Sequence, residues 1–236
     1  MKVLIACEES QTVCKAFRER GHEAYSCDIQ PPSGGHPEWH VQGDALKMLR
    51  WRVEFETMDG QKHFVDEWDL LIAHPPCTYL SNLGANHLYQ GTEKKVRGKD
   101  TFRLMNEERI RNAIRAKDFF LAFWNAPIAK VAVENPVPST LWCLPEKTQV
   151  IQPYMFGDPF KKKTYLWLKG LPALSATNVV EPTGLWVDGG HAKETQMQCF
   201  GFRSAKKRSK TFPGIAKAMA EQWGELDKEA PNGEVH

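Results

Sequence analysis

Several absences narrow the function classes open to this sequence. Its six cysteines include no Cys-x-x-Cys pair, which argues against a zinc ribbon and a disulfide framework, so no metal is expected. It shows no targeting segment and no long apolar run, so we expect a cytoplasmic protein with no membrane contact. A formal net charge of +2 does not by itself indicate a nucleic-acid-binding protein. Once these classes are set aside, the sequence is that of an ordinary globular protein.

The composition is that of one globular domain, with 42% apolar and 25% charged residues among 236. The positive charge is concentrated in three stretches rich in Lys and Arg, at 94–103, 161–163 and 203–210. Such local clusters favour phosphate binding even where the overall charge is small.

The order of apolar runs predicts an α/β fold. Lys2–Ala6 has the pattern of a buried strand, a helix capped by Ser10 follows to about Arg20, and Glu23–Cys27 has the pattern of a second strand. This opening is typical of a doubly wound, mostly parallel sheet. We predict one domain over residues 1–224, with inserted loops at 30–42, 51–67 and 82–104 and a disordered tail over 225–236.

The remaining pattern predicts further elements around these loops. Residues 53–55 and 62–65 flank Asp59-Gly60 and indicate a hairpin. A helix is expected over about 106–125, with Ile114 on its apolar face, and another over 217–223. Residues 82–103 are predicted to be a flexible loop, 141–150 irregular, and 164–168 a strand.

Two apolar runs end at chemically reactive residues. Leu70–Ala73 is followed by His74-Pro75-Pro76-Cys77, and Ile128–Val133 is followed by Glu134-Asn135-Pro136. Prolines end strands, so we expect Cys77 and Glu134 on loops at the carboxyl ends of two parallel strands, where open α/β sheets bind ligands. A thiolate nucleophile near a carboxyl group suggests covalent chemistry on an electron-poor ring.

These residues resemble those of the DNA cytosine-C5 methyltransferases. Pro76-Cys77 followed by Ser81 is similar to that family's Pro-Cys catalytic loop, and Glu134-Asn135-Pro136 is similar to its Glu-Asn-Val motif. Further segments resemble the family's other motifs in the same order: Leu4-Ile5-Ala6 with the helix to Gly21, Asp28, Gly43-Asp44, Gly157-Asp158-Pro159 with the strand from Thr164, and 208–219. The resemblance covers most of the chain and implies a Rossmann-like fold of the S-adenosylmethionine-dependent methyltransferase type.

The resemblance also implies roles. Cys77 would attack C6 of a cytosine flipped out of DNA, Glu134 would hold N3, and C5 would take a methyl group from S-adenosylmethionine. The implied cofactor contacts are Ala6, Cys7, Glu8, Glu9, Ser10, Asp28, Ile29, Asp44, Pro75 and Lys210. The implied substrate contacts are Pro76, Ser81, Asn135, Pro136, Lys162 and Thr164.

Three departures from the family's pattern bear on function. Cys7-Glu8-Glu9-Ser10 stands where the family has Gly-x-Gly-Gly, so a tight turn must form without glycine, and its carboxylates either meet the cofactor's ammonium or face solvent. Lys162 and Thr164 replace an Arg-x-Arg pair, which weakens bidentate contacts. A large target-recognition domain is missing, which leaves sequence specificity to 30–42, 82–103 and 178–209.

Lys210 stands where the family's last motif has asparagine, near the methionine end of the cofactor. We hypothesise that its ammonium pairs with the additional carboxylate of carboxy-S-adenosylmethionine. The enzyme would then transfer a carboxymethyl group rather than a methyl group.

Three alternatives remain open from the sequence. His74-Pro75-Pro76-Cys77 also resembles the Asn-Pro-Pro-Tyr loop of amino methyltransferases, which alkylate N4 of cytosine or N6 of adenine without a covalent step. The missing glycines and arginines are compatible with a non-catalytic nucleic-acid-binding module on the same fold. RNA or a free nucleotide could take the place of DNA. The sequence predicts no oligomeric state.

Overall fold

A computed structural model describes residues 1–89, 95–97, 100–102, 105–183, 187 and 208–226. Its strands are β1 (Lys2–Ala6), β2 (Glu23–Asp28), β3 (His40–Gln42), β4 (Val53–Glu56), β5 (Lys62–Val65), β6 (Leu70–Ala73), β7 (Lys95–Arg97), β8 (Asp100–Phe102), β9 (Val131–Pro136), β10 (Gln149–Ile151) and β11 (Thr164–Lys169). Its α-helices are α1 (Thr12–Glu19), α2 (Asn82–Ala85), α3 (Glu107–Trp124) and α4 (Pro213–Gly224). Within these ranges no helix has the length and apolar character needed to cross a membrane.

A seven-stranded mixed sheet in the order β10-β11-β9-β6-β1-β2-β3 forms the centre of the molecule. β3, β2, β1, β6 and β9 run parallel, and β11 and β10 extend the sheet beyond β9 in antiparallel pairing. The central strands consist almost entirely of apolar residues because helices cover both of their faces. β4–β5 and β7–β8 form separate antiparallel hairpins.

The two faces of the sheet bury two apolar clusters. Val3 and Ile5 point to the face covered by α1 and α4, where Trp223 is fully buried. Leu4 and Ala6 point to the opposite face, which α3 covers through side chains that include Phe120 and Phe123. Helices on both faces of a mostly parallel sheet confirm the predicted α/β class, and the arrangement is compatible with a Rossmann-like fold.

The structure corrects two predicted boundaries next to the cavity described below. Ser10 was expected to cap α1, but the residue before the helix is Gln11, whose side chain makes no capping hydrogen bond. Ser10 Oγ accepts from the Thr12 amide only at the long distance of 3.5 Å. The strand expected over 128–133 lies instead at β9, because β11 pairs antiparallel along its whole length. Glu134, Asn135 and Pro136 therefore lie within the strand and not on a loop beyond it.

Several other predictions of local structure differ in part from the structure or fall outside the described residues. Ile114, expected on the apolar face of α3, is 49% exposed. The stretch predicted to be a flexible loop contains α2 and the β7–β8 hairpin, and 141–150 contains the start of β10. Glu225 lies 3.5 Å from Arg20, and Leu226 packs against the core, whereas the rest of the predicted tail falls outside the described residues. Most of the basic stretch at 203–210, and parts of that at 94–103, also fall outside them.

Candidate active site

A cavity of about 620 Å³ opens at the carboxyl ends of β1 and β6. From β1 the chain continues outward to β2 and β3, and from β6 it continues to β9 on the other side, so these strands flank the point where the strand order reverses. Open α/β sheets bind ligands in this crevice. The predicted site residues that line it are Cys7, Glu8, Glu9, Ser10, Asp28, Ile29, Asp44, Pro76, Cys77 and Lys210.

The turn that follows β1 forms without glycine. Cys7 (φ 60°) and Gln11 (φ 58°) both adopt left-handed backbone conformations, which are strained for residues with a Cβ atom. The buried Gln11 side chain holds the turn, because its Nε2 donates to the His36 carbonyl at 2.8 Å and its Oε1 accepts from the His36 amide at 3.1 Å. Buried side-chain hydrogen bonds thus replace the usual glycines.

Glu8 acts as the cap of α1. Its two carboxyl oxygens accept from the amides of Val13 at 2.7 Å and Cys14 at 3.1 Å, which otherwise have no partner in the first turn of a helix. Burial raises the pKa of Glu8, although the charge of His74 and these backbone hydrogen bonds act in the opposite direction. Glu8 and Glu9 are both buried, which disagrees with the alternative in which these carboxylates face solvent.

Lys210 reaches the cavity from the segment before α4. Its Nζ lies 3.8 Å from Glu9 Oε1 and donates to Ser33 Oγ at 2.9 Å. Side chains of opposite charge therefore stand next to each other on the wall near the N-terminus of α1. Such a pair can meet a ligand that carries both an ammonium and a carboxylate.

The wall beyond β2 combines apolar and acidic groups. Ile29 is 75% exposed, an unusual position for a large apolar side chain, and lies on the cavity lining. Asp28 Oδ1 accepts from the Gln30 amide at 2.9 Å, and Asp44 Oδ1 accepts from the Leu46 amide at 3.0 Å. Each carboxylate keeps acceptor capacity for a ligand with hydroxyl or amine donors.

Cys77 lies half-buried on the cavity wall, after β6. Burial raises the pKa of its thiol and the negative charge of Glu134 raises it further, whereas the positive charges of Lys162 and Arg208 oppose both effects.

The segment that follows Cys77 is joined to the one that follows β9, since the Ser139 amide donates to the Leu80 carbonyl at 2.8 Å. A second bond, from the Asn82 amide to the carbonyl of residue 137, completes the connection at 3.0 Å.

Glu134 is paired with His74, a residue that the sequence did not single out. His74 Nδ1 and Glu134 Oε2 are 3.0 Å apart, and each side chain is only 9% exposed. Burial disfavours the ionised carboxylate, but the hydrogen bond from His74 and the charge of Lys162 together hold the pKa of Glu134 below its ordinary value. Glu134 is therefore ionised at neutral pH, so Nδ1 carries the proton and donates it.

Several predicted contacts do not reach the cavity wall. Ala6 is completely buried in the core, and the Pro75 carbonyl accepts from the amide of Asn135, also completely buried, at 2.9 Å. Ser81 Oγ accepts from the Gly84 amide, and Thr164 pairs with Pro136 across the sheet. Lys162, Asn135, Pro136 and the predicted catalytic residue Glu134 are also not part of the lining. Glu134 is connected to the lining through its hydrogen bond to His74.

His74 could have been found from the sequence by one signal. A polar residue stands between a wholly apolar strand and two prolines, which confines it to the sheet edge. Phe119, assigned only to an apolar helix face, also lines the cavity. The pairing of His74 is not visible without the register of β6 against β9, and the inward position of Phe119 is not visible without the packing of α3 on the sheet.

The described residues contain no group of three or more His, Cys, Asp or Glu side chains arranged to hold a metal ion. The sequence matches no known protein-family model and no curated protein.

Proposed function

We propose that this protein is an S-adenosylmethionine-dependent enzyme of the methyltransferase type, which modifies C5 of cytosine in DNA through a covalent adduct with Cys77. The observation that carries the proposal is the convergence of the Cys77 thiol and the His74–Glu134 pair at adjacent strand ends beside one cavity. The resemblance of Pro76-Cys77 and Glu134-Asn135-Pro136 to the motifs of the cytosine-C5 family supports the same reaction. In this proposal the protein acts in the cytoplasm.

The residues of the cavity fit the cofactor. Ile29 offers an apolar surface to the adenine ring, and Asp28 and Asp44 offer acceptors to the ribose hydroxyls and the adenine amine. Glu9 and Lys210 match the ammonium and carboxylate of the methionine end. When bound there, S-adenosylmethionine supplies an electrophilic methyl group on its sulfonium.

Cys77 and Glu134 would carry the chemistry on the base. The Cys77 sulfur, as the thiolate, bonds to C6, and the electrons of the C5=C6 bond move into the ring toward C5 and N3. Glu134, ionised in the free protein, takes up the proton that the Cys77 thiol releases and donates it in a hydrogen bond to N3 as negative charge develops there. After C5 has gained its substituent, the C5 proton leaves to water, the C6–S bond breaks, and the thiolate is restored. Extruding the cytosine from duplex DNA requires a few kcal/mol.

Intact-mass analysis on DNA that contains 5-fluorocytosine tests the proposal. Fluorine at C5 cannot leave as a proton does, so the wild-type protein with cofactor should remain bonded to the DNA, and peptide mapping should locate the bond at Cys77. Cys77→Ser should give no adduct, and Cys143→Ser, at an exposed cysteine far along the chain, should give the wild-type amount.

The contrary outcomes point to the alternatives. No adduct, combined with unchanged transfer by Cys77→Ser, would indicate alkylation of an exocyclic amine. Absence of measurable affinity for any form of the cofactor in calorimetry would indicate a non-catalytic nucleic-acid-binding module. An adduct on RNA or on a free nucleotide in place of DNA would reassign the substrate.

The identity of the donor depends on Lys210. Its ammonium already contacts Glu9 and Ser33, and in this proposal it also meets the carboxylate of the methionine end. It is therefore not available to the additional carboxylate of carboxy-S-adenosylmethionine, and we propose methyl transfer as the main reaction. Carboxy-S-adenosylmethionine would compete if Lys210 released Glu9. Mass spectrometry of nucleosides from DNA treated with both donors together decides between methylcytosine and carboxymethylcytosine, with Lys210→Asn as the matched variant.

A further inference from the structure

His74 is bonded to both strands that flank β6. Its backbone amide donates to the Ala6 carbonyl at the end of β1, at 2.9 Å, and its Nδ1 donates to Glu134 Oε2 on β9, at 3.0 Å. The next residue is tied to β9 as well, through the bond from Asn135 Nδ2 to the Pro75 carbonyl at 2.9 Å. The ring and the carboxyl group therefore share one rigid support at the sheet edge.

The hydrogen bond to Glu134 is the one that the His74 side chain makes within the described part of the chain. Its Nε2 is buried there without a hydrogen-bond partner. Because the ring has no second bond to turn it, Glu134 and His74 determine each other's orientation. A buried polar atom left in this state is uncommon in folded proteins.

Charged groups face this pair from several elements. Glu8, from the turn after β1, is influenced by the charge of His74, and Lys162, near the start of β11, acts on Glu134. The Cys77 thiol is influenced by Glu134 from the segment after β6. His74 thus acts on two buried carboxyl groups, and one of them, Glu134, acts in turn on the Cys77 thiol.

We propose that His74 is a positioning residue for Glu134: its Nδ1–H holds Oε2, so that the other carboxyl oxygen is presented to the ligand in the cavity. This inference deepens the proposed function and rests on it for the identity of the base that meets Glu134. The resemblance described above assigns no role to this histidine.

Loss of the His74 donor leaves Glu134 buried with one bond fewer and less neighbouring positive charge. Burial acts to raise the pKa of Glu134, and Lys162 would then oppose it without His74, so the carboxyl group takes up its proton at higher pH than in the wild type and is free to turn. A misplacement of about 1 Å at a reacting centre can lower a rate about 100-fold.

Two substitutions separate positioning from packing. His74→Asn places an amide N–H close to the position of Nδ1 and keeps the donor, and His74→Leu keeps the approximate volume and removes it. His74→Gln serves as a polar control, because its N–H lies one bond further out and should not reach Oε2 in the same way. Thermal melting establishes that each variant is folded, and His74→Gln replaces His74→Leu if the latter is not.

The first measurement needs no substrate. The carboxyl carbon of Glu134 is followed by NMR across pH in protein labelled with ¹³C at glutamate, with Glu134→Gln to assign the signal. We expect the midpoint to rise in His74→Leu and in His74→Gln, and to stay near the wild-type value in His74→Asn. An unchanged midpoint in both variants that lack the donor overturns the inference.

The second measurement is single-turnover transfer to DNA. His74→Leu should be slower by about 100-fold with cofactor affinity within about threefold of wild type, and His74→Asn should recover at least about tenfold of that loss. Equal losses in His74→Asn and His74→Leu contradict a positioning role. If the midpoints shift as expected but the wild-type protein transfers nothing to cytosine, the proposed function fails and the pairing of His74 with Glu134 stands.

Discussion

Two turns at the same edge of the sheet line the cavity, and they are built in different ways. The turn after β1 (residues 7–11) uses left-handed residues without glycine and holds them with buried polar side chains. The segment after β6 (residues 74–77) uses two prolines and a histidine bonded to the next strand. The first turn is rigid because its side chains are bonded, and the second because its backbone has few conformations. Substitutions should therefore affect their stability and their chemistry differently.

The largest effect on stability is expected for Gln11→Ala. Gln11 is completely buried and bonds both backbone groups of His36 and the Ser26 hydroxyl, so its truncation leaves buried polar groups without partners. We expect the free energy of unfolding to fall by about 2–3 kcal/mol in urea denaturation. Gln42→Ala, at an exposed glutamine with a single bond to the Ile29 carbonyl, should change it by less than about 0.5 kcal/mol. Similar losses at both sites would mean that the buried hydrogen bonds do not hold the turn.

Glu8 should show the next largest effect, and its pH dependence has a defined sign. Because burial raises the pKa of Glu8 in the folded protein, the folded state binds more protons than the unfolded state between its ordinary pKa and the raised one. This group therefore makes the free energy of unfolding fall as pH rises through that window. Glu8→Gln keeps an acceptor for α1 and should abolish the fall, whereas Glu8→Ala should lose about 1 kcal/mol even at low pH. Parallel pH profiles for wild type and Glu8→Gln would contradict this account.

These two residues also illustrate how far the sequence can be interpreted. The α/β class, β1, β2, β6, the 53–65 hairpin and the helix after Asn106 follow from short-range apolar periodicity, and the structure contains them. The cap of α1 was assigned to Ser10 because serine is a common cap, but the bond depends on a carboxyl group two residues earlier reaching over a left-handed turn. Backbone conformations of that kind in residues other than glycine have no sequence signature.

The candidate site, too, was predicted only in part. The position of Cys77 after a buried strand was predicted from the prolines before it, and most of the residues expected to contact the cofactor do line the cavity. His74 was missed and Glu134 was placed on a loop, because both depend on which strands become neighbours. Strand order and antiparallel pairing are set by contacts distant in sequence, which local periodicity does not report.

A smaller effect, of opposite sign, is expected at Cys7. Its left-handed conformation is strained, so Cys7→Gly should raise the free energy of unfolding by about 0.5 kcal/mol after the greater entropy of the unfolded chain is included. Thr78→Gly, at an exposed residue of ordinary backbone conformation in the other segment, should lower it by about the same amount. Thermal melting of the two variants side by side compares the turns directly. A decrease in both would show that strain at Cys7 is negligible.

The smallest effect concerns the thiol of the second segment. Replacing Glu134 by Gln removes a negative charge that raises the pKa of Cys77, so more thiolate is present at pH 8, and alkylation by iodoacetamide should be about threefold faster. Lys162→Met removes a positive charge that lowers the same pKa, so alkylation should be slower by about threefold. Alkylation of Cys143, quantified in the same digests, should not change. Equal alkylation rates at Cys77 in all three proteins would show that the charges of Glu134 and Lys162 do not affect the pKa of its thiol.

The hydrogen bonds from Ser139 to Leu80 and from Asn82 to residue 137 have a consequence for how such a protein can diversify. They join the segment that follows Cys77 to the segment that follows Glu134, so residues inserted after Asn82 begin beyond these two bonds. Length and sequence can change there while the spacing between the two groups stays constant. Selection can therefore act on the insertion without disturbing the spacing of Cys77 and Glu134.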